Sequence, residues 1–276
     1  MAAGAVASAA GSGRVTTRVA AAAVLVPAVI ALTWIGGWAF DALLLACAAL
    51  LGREWARVCQ LTVDRPLTWA LVSGPAAVIG LAALVSHPSV GLAAGAILAV
   101  AVSLAGSATV SGAVGRWLGA GAIAIVLAGI SLMWLRNLEP SGLWLTVWLF
   151  LVIWSNDTVA FFTGRAIGGP RLAPGISPGK TWAGLLGGLA AGVLIGFAAA
   201  WLISGEASWS GAAAGFLLAF AGNVGDLFES RLKRRFHSKD SGGLIPGHGG
   251  FLDRLDSLLV AAPVAAGLYL LEWRWL

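Results

Sequence analysis

Asp226, Glu229 and Ser230 stand at i, i+3 and i+4, the spacing that sets three side chains on one face of a helix. Asp253, Asp256 and Ser257 repeat that arrangement further along the chain. Between the two acid ladders run Arg231, Lys233, Arg234, Arg235, Lys239 and Asp240, then the turn Gly247-His248-Gly249-Gly250; Arg254 follows Asp253 directly. Carboxylates in this pattern suit a hard cation such as magnesium, which keeps waters and binds one or two carboxylates together with a substrate phosphate. A glycine-rich turn that opens a helix exposes backbone N–H groups at the positive end of the helix dipole, where anions bind. Taken singly these features are ordinary, because acids on helix faces are mostly solvated or salt-bridged and basic loops at a membrane touch headgroups. Together they describe a place to hold phosphate among cations.

Acids within apolar spans are costly unless paired or hydrated, so each is a candidate for function. Asp41 lies near the outer end of its span, where it is expected to reach water. Asp157 adjoins Ser155, Asn156 and Thr158, four polar residues in a row that suggest a hydrated pocket, and Asp226 follows Asn223 at the end of its span. Residues 175–181, GISPGKT, resemble a P-loop, but Pro174 stands where that pattern needs Gly, the spacing is one short and no strand is expected ahead of it. Ser177, Lys180 and Thr181 remain as polar residues able to meet a phosphate. His87 falls in an outer loop and His237 in the basic run at the surface, which leaves His248 in the turn. No nucleophile-and-base pair stands out. Phosphoryl or nucleotidyl transfer needs positioning and charge neutralisation more than covalent groups, and an attacking phosphate is already ionised.

The scaffold that must position these residues is apolar. Hydrophobic residues make up 59% of the 276 and charged residues 11%, whereas roughly 25% of a soluble domain is charged. Mean hydropathy is +0.90. A soluble core could not hide this surface, so the fold expected is an all-α, polytopic integral membrane protein. About nine transmembrane helices are marked, at residues 19–35, 38–51, 67–85, 90–104, 117–135, 143–162, 182–203, 209–227 and 255–273. The second and fourth are short enough to be re-entrant. With the N-terminus inside, fifteen of the seventeen Lys and Arg fall on inner segments and only Arg136 and Arg274 outside, the bias of the positive-inside rule. That rule also accounts for the net charge of +5, so no nucleic-acid partner is expected. Cys47 and Cys59 give neither a disulfide framework nor a metal set. Residues 1–13 read as a disordered tail, 14–135 as five N-terminal membrane helices and 136–276 as a C-terminal catalytic membrane region of four. Arg14 and Arg18 ahead of the first span imitate a signal peptide, but with so many spans following, a retained helix is expected.

The stretch 225–257 resembles the signature of phosphatidate cytidylyltransferases, the CDP-diacylglycerol synthases. Ser230, Lys233, Arg234, Lys239, Asp240, Gly242, Pro246, Gly247, His248, Gly249, Gly250, Asp253, Arg254 and Asp256 fall on its fixed positions, and GDLFES at 225–230 matches as well. DTVAFFTGR at 157–165 is similar to a second family motif, with Phe161 where Tyr is common. SPGKTWAG at 177–184 is similar to SPxKTxEG, with Ala183 where Glu is usual, so no carboxylate role is expected there. The N-terminal half joins the resemblance through its hydropathy and the pair Glu54-Trp55.

The resemblance implies that phosphatidate attacks the α-phosphate of CTP, giving CDP-diacylglycerol and pyrophosphate, with magnesium required and room for a second cation. It implies that Asp226 and Asp253 form the metal-binding and catalytic pair, supported by Asp256, with Lys233 and Arg254 beside them. Ser230, Arg234, Lys239, His248, Gly249, Gly250, Ser177, Lys180, Thr181 and Asp157 are then substrate contacts. Membrane lipids are partners, a homodimer is an open possibility, and the site faces the cytoplasm from a bacterial cytoplasmic membrane. Two alternatives stay open. One is a CTP-dependent enzyme on another lipid acceptor, or a polyprenol-type kinase that would release CDP. The other is an ion-coupled transporter through Asp157 and Asp226, which predicts broken helices about a midplane site, whereas these acids lie at the inner edge.

Overall fold

The computed structural model describes residues 23, 25–62, 64–204, 209–242 and 249–271. Among these residues the order is α1 (Leu25–Ile35), α2 (Gly37–Val58), α3 (Pro66–Val85), α4 (Pro88–Thr109), α5 (Gly112–Arg136) and α6 (Gly142–Ile167). A hairpin of β1 (Arg171–Ala173) and β2 (Ser177–Thr181) follows, then α7 (Trp182–Ser204), α8 (Trp209–Arg235) and α9 (Leu252–Leu270). The six helices α3 to α8 are long and apolar enough to cross a membrane. Helices are the natural solution here, since each satisfies its own backbone N–H and C=O groups where no water can. The protein is an all-α polytopic membrane protein. α1 is a short apolar helix, while α2 and α9 carry several charges and are less uniformly apolar.

Lipid offers helices no hydrophobic reason to associate, so small residues that let backbones approach take over. A side chain at Gly52 would strike the Leu71 carbonyl of α3, and one at Gly115 the Ser103 carbonyl of α4. Gly196 and Gly215 press in the same way on the backbones of Gly211 and Gly192, so α7 and α8 touch main chain to main chain. Trp55 is fully buried and its Nε1 donates to the Trp117 carbonyl at 2.8 Å. The Phe228 ring lies 6.0 Å from Trp55 and 5.3 Å from Trp117, which locks α2, α5 and α8 together. α5 also packs along α9, joining the N-terminal and C-terminal segments.

Two expectations change. The second and fourth spans are full helices of 22 residues each. α2 continues past Leu51 because its last turns are amphipathic: Gly52, Glu54, Trp55 and Val58 are buried while Arg53 and Arg57 are exposed. The hairpin was not foreseen, since Pro and Gly in SPGK read as loop punctuation. It pairs Arg171 with Thr181 and Ala173 with Ser177 in antiparallel register. A strand therefore does precede GISPGKT, but the GKT segment sits on the second strand of the hairpin rather than in a loop opening a helix, so the P-loop remains excluded on spacing. Asp41 is half-buried, and its Oδ1 is a buried atom without a hydrogen-bond partner among the described residues.

Candidate functional site

α8 and α9 meet where they carry their acids. A side chain at Gly225 would strike the Asp256 carbonyl, and one at Gly222 would sit 3.5 Å from Ser257 Cβ. The close approach brings Asp226 and Asp256 to one cavity of about 700 Å³, within the range of pockets that enclose a small-molecule ligand. Asp157 from α6 and Asp253 from α9 also line it, and Asp157, Asp226 and Asp256 are near enough to repel one another. Cations answer them: Lys180 from β2, Arg254 from α9, Arg165 from α6 and Arg171 from β1 line the same cavity. Four acids and four bases around one space match the requirements of a phosphate-handling site.

The carboxylates are individually oriented. Asp226 Oδ2 pairs with Lys180 Nζ at 2.5 Å, and Ser230 Oγ donates to Asp226 Oδ1 at 3.4 Å. Asn223 donates to Asn156 Oδ1 at 2.9 Å, and Asn156 in turn donates to Asp157 Oδ1 at 3.0 Å, a buried relay that fixes the Asp157 side chain from behind. Asp253 has both oxygens engaged, Oδ1 with Lys233 Nζ at 2.8 Å and Oδ2 with the Gly250 N–H at 2.9 Å. Lys233 also pairs with Glu229 at 2.6 Å. Glu229 was expected to share a face with Asp226 toward a common surface; instead it is 1% exposed, drawn inward by Lys233 one helical turn on.

The other expected contacts divide. Thr181 lines the cavity, but its Oγ1 accepts from the Gly184 N–H at 3.1 Å and so caps the start of α7. Arg234 donates from Nε to the Ile176 carbonyl at 3.1 Å, tying the hairpin to the end of α8. Ser177 begins β2, and Lys239 is exposed beyond α8; neither lines the cavity. Gly249 takes the left-handed φ of +83° that favours glycine, and Gly250 serves Asp253 through its backbone. His248 lies outside the described residues. Sequence reasoning passed over Arg165 of α6 and Arg171, the latter brought to the cavity by the hairpin. It also read Glu229 as part of an acid ladder for a cation and missed its ion pair with Lys233, which the i,i+4 spacing signalled.

The family model described as "Cytidylyltransferase family" matches residues 16–271. The chain belongs to this family. A phosphatidate cytidylyltransferase of Brucella abortus biovar 1 (strain 9-941) is 40% identical over 250 residues, spanning 89% of this chain and 90% of the relative. One of Pseudomonas aeruginosa is 38% identical over 268 residues, 91% of this chain and 95% of the relative. One of Rickettsia bellii is 42% identical over 156 residues, 53% of this chain and 68% of the relative. The match reaches into α2 and α5 as well as the acid ladders, so family membership rests on the whole helical scaffold and not on the signature alone.

Whether the cavity suits a magnesium ion can be judged from its donors. Among the described residues no group of three or more His, Cys, Asp or Glu is arranged as a ready metal cage. Magnesium does not ask for one, since it binds through one or two carboxylates and takes its other ligands from water and phosphate. Asp226, Asp253 and Asp256 all line the cavity and supply that number of carboxylates, with Lys180 the ion-pair partner a metal would displace from Asp226. The donor set fits.

Proposed function

We propose that this protein transfers CMP from CTP to phosphatidate, releasing pyrophosphate and leaving CDP-diacylglycerol in the membrane. A phosphatidate oxygen forms the new bond to the CTP α-phosphorus, and the bond from that phosphorus to the bridging oxygen of the pyrophosphate breaks. The observation that carries the reading is the cavity at the helix ends, where four aspartates and four Lys or Arg side chains face one space. The names of the relatives supply the nucleotide and the lipid.

Lys180, Arg165, Arg171 and Arg254 hold the phosphate oxygens of the two substrates and bring two anions together that would otherwise repel. Asp157, kept in place by Asn156, lines the cavity within electrostatic reach of Lys180 and Arg254. Asp226 and Asp253 would hold magnesium with Asp256 supporting them, Asp253 on giving up its ion pair with Lys233. The metal, when bound, offsets the charge that develops on the leaving pyrophosphate. No general base is needed, because the attacking phosphate is already ionised. The cavity faces the cytoplasm, the side that the excess of Lys and Arg marks as inner.

Purified protein in detergent, given CTP, phosphatidate and magnesium, is expected to form CDP-diacylglycerol and pyrophosphate in equal amounts. Folded, metal-replete protein that yields no product would sink the proposal, and release of CDP would indicate a kinase instead.

A further inference from the structure

Glu54 stands on α2, outside the cavity, yet it holds both flanks of the loop that carries the signature turn. It is 1% exposed. Its Oε2 accepts the N–H of Leu252, the first residue of α9, at 2.7 Å, and the Ser241 hydroxyl at 3.0 Å. The contact is close enough to require glycine on either side. A side chain at Gly242 would strike Glu54 Oε1, and one at Gly250 would meet Oε2 at 2.7 Å. Residues 241–242 and 250–252, the near and far ends of the loop, therefore converge on one carboxylate.

A helix leaves its first N–H groups unpaired, and a negative charge there is favourable to its dipole. The N-cap of α9 is Phe251, whose side chain supplies no hydrogen bond. Glu54 supplies it from another helix. The neighbouring Trp55, bonded to α5 and packed on Phe228 of α8, keeps α2 from yielding. Burying a carboxylate is costly, and Oε1 has no hydrogen-bond partner among the described residues, so stability alone is a poor reason for the group.

We propose that Glu54 is a positioning residue, which fixes the start of α9 and through it the orientation of Asp253, Arg254 and Asp256 in the cavity. It touches no substrate and acts through Leu252 and the loop flanks. The inference rests on the reaction proposed above only for its kinetic readout.

The test uses the full-length chain in detergent with Glu54→Gln and Glu54→Ala, read by hydrogen exchange of the amides from Gly249 to Arg254 and by kcat and KM for CTP. Glu54→Ala is expected to speed exchange at Leu252 at least roughly tenfold, the equivalent of one lost buried hydrogen bond, with α5 amides unchanged. Its kcat should fall at least about tenfold with KM for CTP within about threefold, the pattern of lost transition-state alignment rather than lost binding. Glu54→Gln keeps an acceptor oxygen and the same shape, so it should fall between Glu54→Ala and the unsubstituted protein in both measures. Unchanged exchange at Leu252 overturns the proposal, as does faster exchange with unchanged kcat. Equal loosening of α5 in both variants also overturns it, because the role would then be general to the fold. Exchange needs no substrate, so an inactive unsubstituted protein would count against the proposed reaction and leave the anchor to be judged by exchange.

Discussion

Replacing Lys233 by Met removes an ammonium that two carboxylates share. Nζ lies 2.6 Å from Glu229 and 2.8 Å from Asp253, and the side chains are 15%, 2% and 15% exposed respectively. Breaking a buried ion pair by deleting one partner costs about 3–5 kcal/mol, since the remaining charge is left uncompensated. Here two charges are left, although Asp253 keeps the Gly250 N–H. At about 2–4 °C per kcal/mol for a chain of this size, the melting temperature in detergent should fall by roughly 6–20 °C. Turnover should fall at least about a hundredfold, comparable to losing one preorganised electrostatic contact. The double variant Glu229→Leu with Lys233→Met replaces the pair by apolar groups of similar volume, a change that is often neutral. It should regain at least half of the lost melting temperature and none of the turnover. A Lys233→Met protein that melts within about 2 °C of the unsubstituted chain would refute the account of a buried shared cation.

Asp226→Asn and Asp253→Asn should each lower turnover at least about a hundredfold while the protein still elutes as an assembled species on size exclusion; near-normal turnover in either would remove that residue from the site. Removing divalent metal with a chelator should abolish product formation, and added magnesium should restore it; chelator-resistant turnover would exclude the metal. Gly250→Ala places a methyl against the Ser241 hydroxyl and the Glu54 carboxylate, so its turnover should drop at least about tenfold, measured beside Gly267→Ala, where nothing stands within 4 Å of the added methyl.

Most of the helical scaffold was legible because lipid imposes one rule, long apolar runs with charge at the ends; six of the nine marked spans match helices long and apolar enough to cross a membrane, and the other three overlap α1, α2 and α9. Asp226, Asp253 and Asp256 were legible because acids are rare in such a chain, and all three reach the cavity. What escaped was pairing at a distance. Lys180 and Asp226 are neighbours only because α7 and α8 touch, and Arg171 enters the cavity only because a short hairpin folds back there. Ser230, Arg234 and Thr181 carry the right chemistry, yet other groups hold them: Asp226, the Ile176 carbonyl and the Gly184 amide. A motif reports that polar residues belong together without saying which faces the space between them.

The glycine contact between α7 and α8 has a mechanical side. With Gly192 and Gly196 seated on the backbones of Gly215 and Gly211, no layer of side chains remains to slide or compress, and the two helices act as a single splint. Lys180 lies two residues before one arm and Asp226 projects from the other, so their spacing is inherited from the splint. A nucleotide phosphate that takes Lys180 away from Asp226 must then make room by turning side chains and shifting the β1–β2 hairpin, with the helices staying in place. Lys180 is itself part of β2, so once it lets go of Asp226 the hairpin is still held to α8 by Arg234 at the Ile176 carbonyl.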